Sequence, residues 1–205
     1  MGAFAAVIAS LLASGCATST QTRSGFLSGY GNLKPIPTSP GLFAEKDAVC
    51  DTHRSIRVAP VAWQVTGENP GALDEHDRND LCLFAQSALE HAITGVLPTP
   101  PAGRHPLELR STITRVETSN PALNVVSTFA LFMPLNNGGI CLEWKLVEPA
   151  SEKILAQGVA VQTGKPWQFK ASFESLGHAK AGLVKISSEL ASYLAVSRDD
   201  RATTN

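Results

Sequence analysis

The residues best equipped for chemistry in this chain are four cysteines and five histidines, and their spacing decides what they can do. The histidines, His53, His76, His91, His105 and His178, are scattered, and none shares a local motif with a nucleophile. No C-x-x-C or H-x-x-x-H pair occurs, so the sequence spells out no zinc ligand set. A glycine-rich phosphate loop, a G-x-S-x-G elbow and an H-E-x-x-H helix are missing as well. Asp74-Glu75-His76-Asp77 gathers acid–base groups, but it stands where an amphipathic helix begins. Acidic groups there stabilise the N-terminal end of the helix dipole by about 0.3–1 kcal/mol each. These patterns point to no catalytic residue, no metal and no cofactor. They argue against an enzyme, although triads also assemble from residues far apart in sequence.

Cys16 is the exception. It closes an apolar run, Met1 to Gly15, that ends in small residues, Leu12-Ala13-Ser14-Gly15. The run is shorter than the roughly 20 apolar residues of a membrane span and has the form of a secretory segment with a cleavage site. The ending resembles a bacterial lipobox, which implies that Cys16 becomes the lipidated first residue of the mature chain. Ala13 stands where that pattern prefers Leu, Val or Ile, and no Lys or Arg precedes the run. The alternative is an ordinary signal peptide, with Cys16 a plain thiol or part of what is removed. Several acyl chains, as lipoproteins of this type carry, give stable anchoring, since each buried CH₂ adds about 0.8 kcal/mol. The residue after the cysteine is Ala17 rather than Asp. The resemblance therefore implies the outer membrane, periplasmic face, over retention at the inner membrane.

An oxidising periplasm permits one disulfide among Cys50, Cys82 and Cys141 with one thiol left over. Three buried small residues is the competing reading. Lys and Arg number 17 against 18 Asp and Glu, with no basic run, so nucleic acid is not an expected partner.

The elements that must position any site follow from periodicity. Residues 17–24 are small and polar and read as a tether. Phe26, Leu27, Tyr30 and Leu33 recur at helical spacing, but Gly29 and Gly31 each weaken a helix by about 1 kcal/mol. A short turn-like segment docking its aromatic residues on the main domain is expected there, followed by an extended path through Pro35, Pro37 and Pro40. Ile56–Val65 reads as a strand, with Pro60 marking an edge or a bulge. Asp74 caps a helix over 75–94, ending at Gly95. Leu107 to Thr114, Ile140 to Leu146 and Ile154–Thr163 read as strands, the last two as a hairpin. The final helix, capped by Ser172, runs to Leu194, and Gly177 and Gly182 require packing to hold it.

The order of lipobox, polar tether, Gly25-Phe26-Leu27-x-x-Tyr30-x-x-Leu33 and one α+β body resembles the DUF3313-type bacterial lipoproteins, a group that carries no assigned activity or catalytic residues. The expected fold is a single α+β domain in β-α-β-β-β-α order, with about four mostly antiparallel strands and two helices on one face. Glu108, Arg110, Glu143 and Lys145 predict that the other face is wet. The expected divisions are a signal peptide at 1–15, lipidated cysteine, tether and docking segment at 16–50, the domain at 51–197 and a polar tail at 198–205.

One stretch keeps two readings open. Residues 119–137 carry no charge and are apolar on most sides. They read either as a buried connector or as a lip for a lipid, partner or membrane surface, through Leu123, Val126, Phe129, Phe132 and Met133. Trp63, Trp144 and Trp167 line a pocket or fill a core. The leading functional expectation is a non-catalytic binding or scaffolding module, anchored in the membrane by its lipid and contacting an envelope protein. The alternative is a binder of lipids or small apolar ligands that uses 119–137.

Overall fold

A computed structural model describes residues 23–46, 55–65, 73–97, 105–117, 139–163 and 176–195. Seven strands and two helices appear among them: β1 (Lys34–Pro35), β2 (Leu42–Lys46), β3 (Ile56–Val58), β4 (Ala62–Trp63), α1 (Glu75–Val96), β5 (Leu107–Glu117), β6 (Gly139–Glu148), β7 (Lys153–Thr163) and α2 (Gly177–Ala195). They build one mixed sheet in the order β1-β2-β7-β6-β5-β3, with β4 also paired to β5. The architecture is α+β, as expected. The sheet is wider than the four strands expected, because β2 pairs antiparallel along β7 and β1 along β2. Nothing in the composition of 34–46 marks these strands. Their pairing is decided by an open edge on β7.

At the other edge β3 and β4 run parallel to β5. The register slips by one residue between them, since Val58 faces Leu109 and Ala62 faces Thr112. The interruption falls on Ala59-Pro60-Val61, and Pro60 has no N–H to give to a ladder, so the edge strand breaks where the sequence places the proline. Parallel pairing of β3 with β5 requires the chain to cross over, and α1 makes that crossing.

Asp74 caps α1, its carboxylate accepting from the N–H of Asp77 at 2.8 Å. The helix continues through Gly95 to Val96 instead of stopping at the glycine, and Leu97 closes it by donating its N–H to the Ile93 carbonyl. Leu81, Ala85, Leu89 and Ile93 form its buried stripe. α1 and α2 pack on one another and on one face of the sheet. There they enclose Leu42, Leu109, Ile113, Leu142, Trp144 and Leu146 with Leu183, Ile186, Leu190 and Leu194.

Two glycines set how closely these layers approach. A Cβ on Gly182 would stand 2.9 Å from the Ile140 Cγ2, so the glycine lets α2 lie against β6. Packing therefore offsets the weak helix propensity of Gly182. A Cβ on Gly158 would stand 2.4 Å from the Phe43 carbonyl oxygen and 2.7 Å from the Trp144 ring. Gly158 is the gap in β7 that Trp144 fills, and the indole meets Tyr193 edge-on at 5.9 Å. Replacing Gly158 with Ala is expected to lower stability by about 1–3 kcal/mol, the range for overpacking a full core. Gly29→Ala, whose Cβ meets nothing within 4 Å, should leave the urea midpoint nearly unchanged and serves as the control.

Candidate functional site

The face of the sheet turned away from the helices is not wet where it matters most. Side chains alternate along β6, so Cys141, Glu143 and Lys145 point opposite to Leu142, Trp144 and Leu146. Glu143 nevertheless has 0% exposure. The segment from Ser24 to Leu33 lies across this face and covers it. Leu27 inserts among Cys141, Val159 and Val161, with Phe26, Tyr30 and Leu33 packed around that cluster. This corrects the expectation of a solvated face. A buried carboxylate is strongly disfavoured unless its oxygens are hydrogen-bonded, and the covering segment brings the donors.

Ser24 donates its N–H to Glu143 Oε1 at 3.0 Å and its hydroxyl to Oε2 at 2.8 Å. The Tyr30 hydroxyl donates to Oε2 at 2.7 Å and accepts from the Gly25 N–H at 2.9 Å. Gly25 can make that turn because its φ is 87°, in the left-handed region that favours glycine. Ser24 Oγ also accepts from the Phe26 N–H at 3.1 Å. One strand over, Gln157 Oε1 accepts from the N–H and hydroxyl of Ser28, while its Nε2 donates to the Gly29 carbonyl. Lys145 Nζ rests 4.2 Å from the centre of the Phe26 ring, a cation–π contact. The result is a clamp in which each polar group is committed to another.

Beside the clamp, Arg110 forks onto Glu152 at 2.7 and 2.9 Å and also binds Glu108 at 2.6 Å. Hydrogen bonding to Glu152, then to Glu108, raises the Arg110 pKa, and the Arg110 guanidinium holds the Glu152 carboxyl below its ordinary value. Arg57 binds the remaining oxygen of Glu108. Arg110 stands directly opposite Lys145 in the ladder, a pairing of like charges that would destabilise the sheet without these carboxylates.

The sequence-predicted site residues divide into those described and those not. Cys16, Cys50, His53, Trp167 and the apolar stretch with Leu123, Val126, Phe129, Phe132 and Met133 lie outside the described residues. His76 is exposed and reaches Asp80 at 3.5 Å across one helical turn. His91 and His105 are exposed. No group of three or more His, Cys, Asp or Glu side chains able to hold a metal occurs among the described residues. Trp144 is fully buried and fills the core, and Trp63 packs partly buried against it with Arg78 stacked at 5.9 Å. Cys82 and Cys141 carry no disulfide. Cys82 sits on α1 and Cys141 under the clamp, on opposite sides of the sheet. Burial raises the Cys82 pKa and so lowers its thiolate fraction. No helix among the described residues is long and apolar enough to cross a membrane.

The feature that sequence reasoning missed is Glu143 as an anchor point, together with Gln157. Both are separated from their partners by more than a hundred positions. The only local signal is a carboxylate inside a strand whose other residues are almost all apolar or aromatic.

The family model of DUF3313, described as a protein of unknown function, matches residues 22–190. The chain belongs to the DUF3313 family. The match begins at the edge of the clamp segment and runs through most of α2, so clamp and domain fall within one family unit. The chain is also similar to a PelC dodecamer structure from Paraburkholderia phytofirmans, at 9% identity and TM-score 0.47, covering 77% of this chain and 98% of that one. A Xanthomonas campestris protein of family model DUF330 gives 13% identity and TM-score 0.44, over 74% and 89%. A hypothetical protein of Chlamydia trachomatis gives 11% identity and TM-score 0.39, over 70% and 99%. No curated protein matches the chain.

One outcome tests the clamp and a second tests the start of α2. Tyr30→Phe removes one hydrogen bond to a buried carboxylate and should cost about 1.5–3 kcal/mol. Glu143→Ala strands the Ser24 and Tyr30 donors together and should cost more. In both variants amide exchange should accelerate from Ser24 to Leu33 well before it does in β6 and β7. Equal protection in variant and native protein would show that the clamp does not hold the segment.

The second outcome concerns His178, buried at the start of α2, where desolvation lowers its pKa from the ordinary 6.5. The folded state thus resists protonation that the unfolded chain accepts. Stability from this residue is present above pH 6.5 and falls as pH drops below that value toward the depressed folded pKa. His178→Gln should flatten the fall in urea midpoint over that window.

Proposed function

We propose that this protein is a lipoprotein of the outer membrane, facing the periplasm, anchored through Cys16. Its domain is a non-catalytic binding or scaffolding module that contacts another envelope protein. The observation that carries this reading is the clamp. Eight residues beyond Cys16 the chain is fixed to the middle strands of the sheet by Ser24, Tyr30 and Glu143. A lipid at Cys16 would therefore hold a rigid body close to a bilayer, not one trailing on a long linker.

The same clamp argues for a non-catalytic role. The Ser24 hydroxyl both donates to Glu143 and accepts from Phe26, and the Tyr30 hydroxyl is likewise used in both directions. Both hydroxyls and the carboxylate, which accepts three hydrogen bonds, are engaged in holding the segment on the sheet.

Mature protein from native membranes should show an intact mass raised by acyl chains, and it should fractionate with the outer membrane. Cys16→Ser should move it to the soluble fraction while leaving its urea midpoint unchanged. An unmodified mass, or unchanged fractionation of the Cys16→Ser protein, would remove the anchor. Crosslinking in cells should capture one dominant envelope protein, and absence of any such partner would remove the scaffolding role.

A further inference from the structure

The clamp segment does more than cover the sheet. We infer that Ser24–Leu33 is a releasable strap that sets how far the domain can stand from the bilayer. Docked, it keeps the domain close; released, it more than doubles the reach of the anchor. This rests on the lipid-anchor reading of Cys16.

The strap is joined to the body differently from the chain that follows it. No backbone hydrogen bond ties residues 24–33 to a strand, and the ladder begins at Lys34, opposite Ala44 of β2. Side chains hold the strap instead. Glu143 on β6 and Gln157 on β7 grip it from below, and Gln64, just beyond β4, donates its Nε2 to the Ser24 carbonyl at 3.4 Å. Leu27 is the one residue of the strap that is buried. The strap can therefore leave as a unit without breaking any strand pairing. On release, water takes the donors' places on Glu143, and the exposed Gly29 and Gly31 regain backbone freedom. Segments with so few buried apolar contacts open locally at the low end of a protein's stability range. Release stops at β2, where Leu42 and Ala44 enter the main core and five residues pair with β7.

The two states differ in reach. Docked, the free chain from Cys16 to Ser24 spans at most about 26–29 Å. Released, it runs from Cys16 to Lys34 and spans at most about 59–65 Å. A partner held beyond the range of the docked domain is met only by the released form, so its binding selects that form. By the same linkage, a weakened strap favours engagement of such a partner.

The test pulls on the full-length lipidated protein in a supported phosphatidylethanolamine–phosphatidylglycerol bilayer. A magnetic bead is coupled to an azide-bearing side chain at position 184, where Val184 is 54% exposed, and force stays below that which extracts the anchor. A reversible lengthening of up to about 20 Å is expected before the domain unfolds. That is the length of chain from Ser24 to Lys34 less the roughly 14 Å it already covers between β6 and β1. Tyr30→Phe and Leu27→Ala should each raise the released-to-docked ratio at fixed force by at least about tenfold. Lack of any step before unfolding, or a step that neither substitution shifts, overturns the strap while leaving the anchor standing. Protein that does not enter the bilayer overturns the anchor and with it the change in reach. The strap's release is then still read with the chain held to the surface by the Cys16 thiol, which separates the two failures.

Discussion

A carboxylate with no water around it is the constraint on which this structure turns. Glu143 sits in the central part of the sheet with its side chain fully buried, and it is acceptable there only because Ser24 and Tyr30 bring three donors to its two oxygens. The donors come from a stretch of chain with little secondary structure of its own. Ser24 to Leu33 is ordered by what it covers: Leu27 on Cys141, Val159 and Val161, and Ser28 and Gly29 on Gln157. The charge and the cover depend on one another. Without the segment Glu143 would face water, and without Glu143 the segment would lose its most directional hold.

From that mutual dependence the rest of the N-terminal half follows. Once the chain leaves Leu33 it is already beside the β7 edge, and β2 completes the ladder there, with Phe43 opposite Val159 and Ala44 opposite Gly158. The edge that β7 would otherwise expose, a template for uncontrolled strand pairing, is thereby covered by the molecule itself. β1 extends this by two residues, one of them Pro35, which cannot donate to a further strand. On the opposite face the layers meet mainly through apolar side chains, with Gln162 of β7 bonded to Lys185 and Glu189 of α2 at the margin. Gly158 and Gly182 provide the space in which Trp144 and α2 settle.

Much of the body was legible in the sequence because its signals are local. The 3.6-residue period of Leu81, Ala85, Leu89 and Ile93, the Asp74 cap, the alternation in β5 and β6 and the hairpin of β6 with β7 all depend on neighbours a few positions away. Pro60 likewise announced the broken edge strand. Local signals misled in two places. Gly95 reads as a helix end, but α1 continues past it to Val96. Glu143 and Lys145 read as solvated residues alternating with core residues. That reading had the alternation right and mistook what lay above it.

The chain alone therefore determined the element types and most of their order, since those are fixed by side-chain sequence and short-range geometry. It could not determine what becomes of a polar residue on a sheet face. Whether Glu143 meets water or a serine 119 positions earlier depends on where the chain returns in space, and only the folded arrangement decides that. Sheet width was settled in the same way. A strand such as β2 gains its hydrogen bonds from a neighbour, so its existence is a property of the β7 edge as much as of its own five residues.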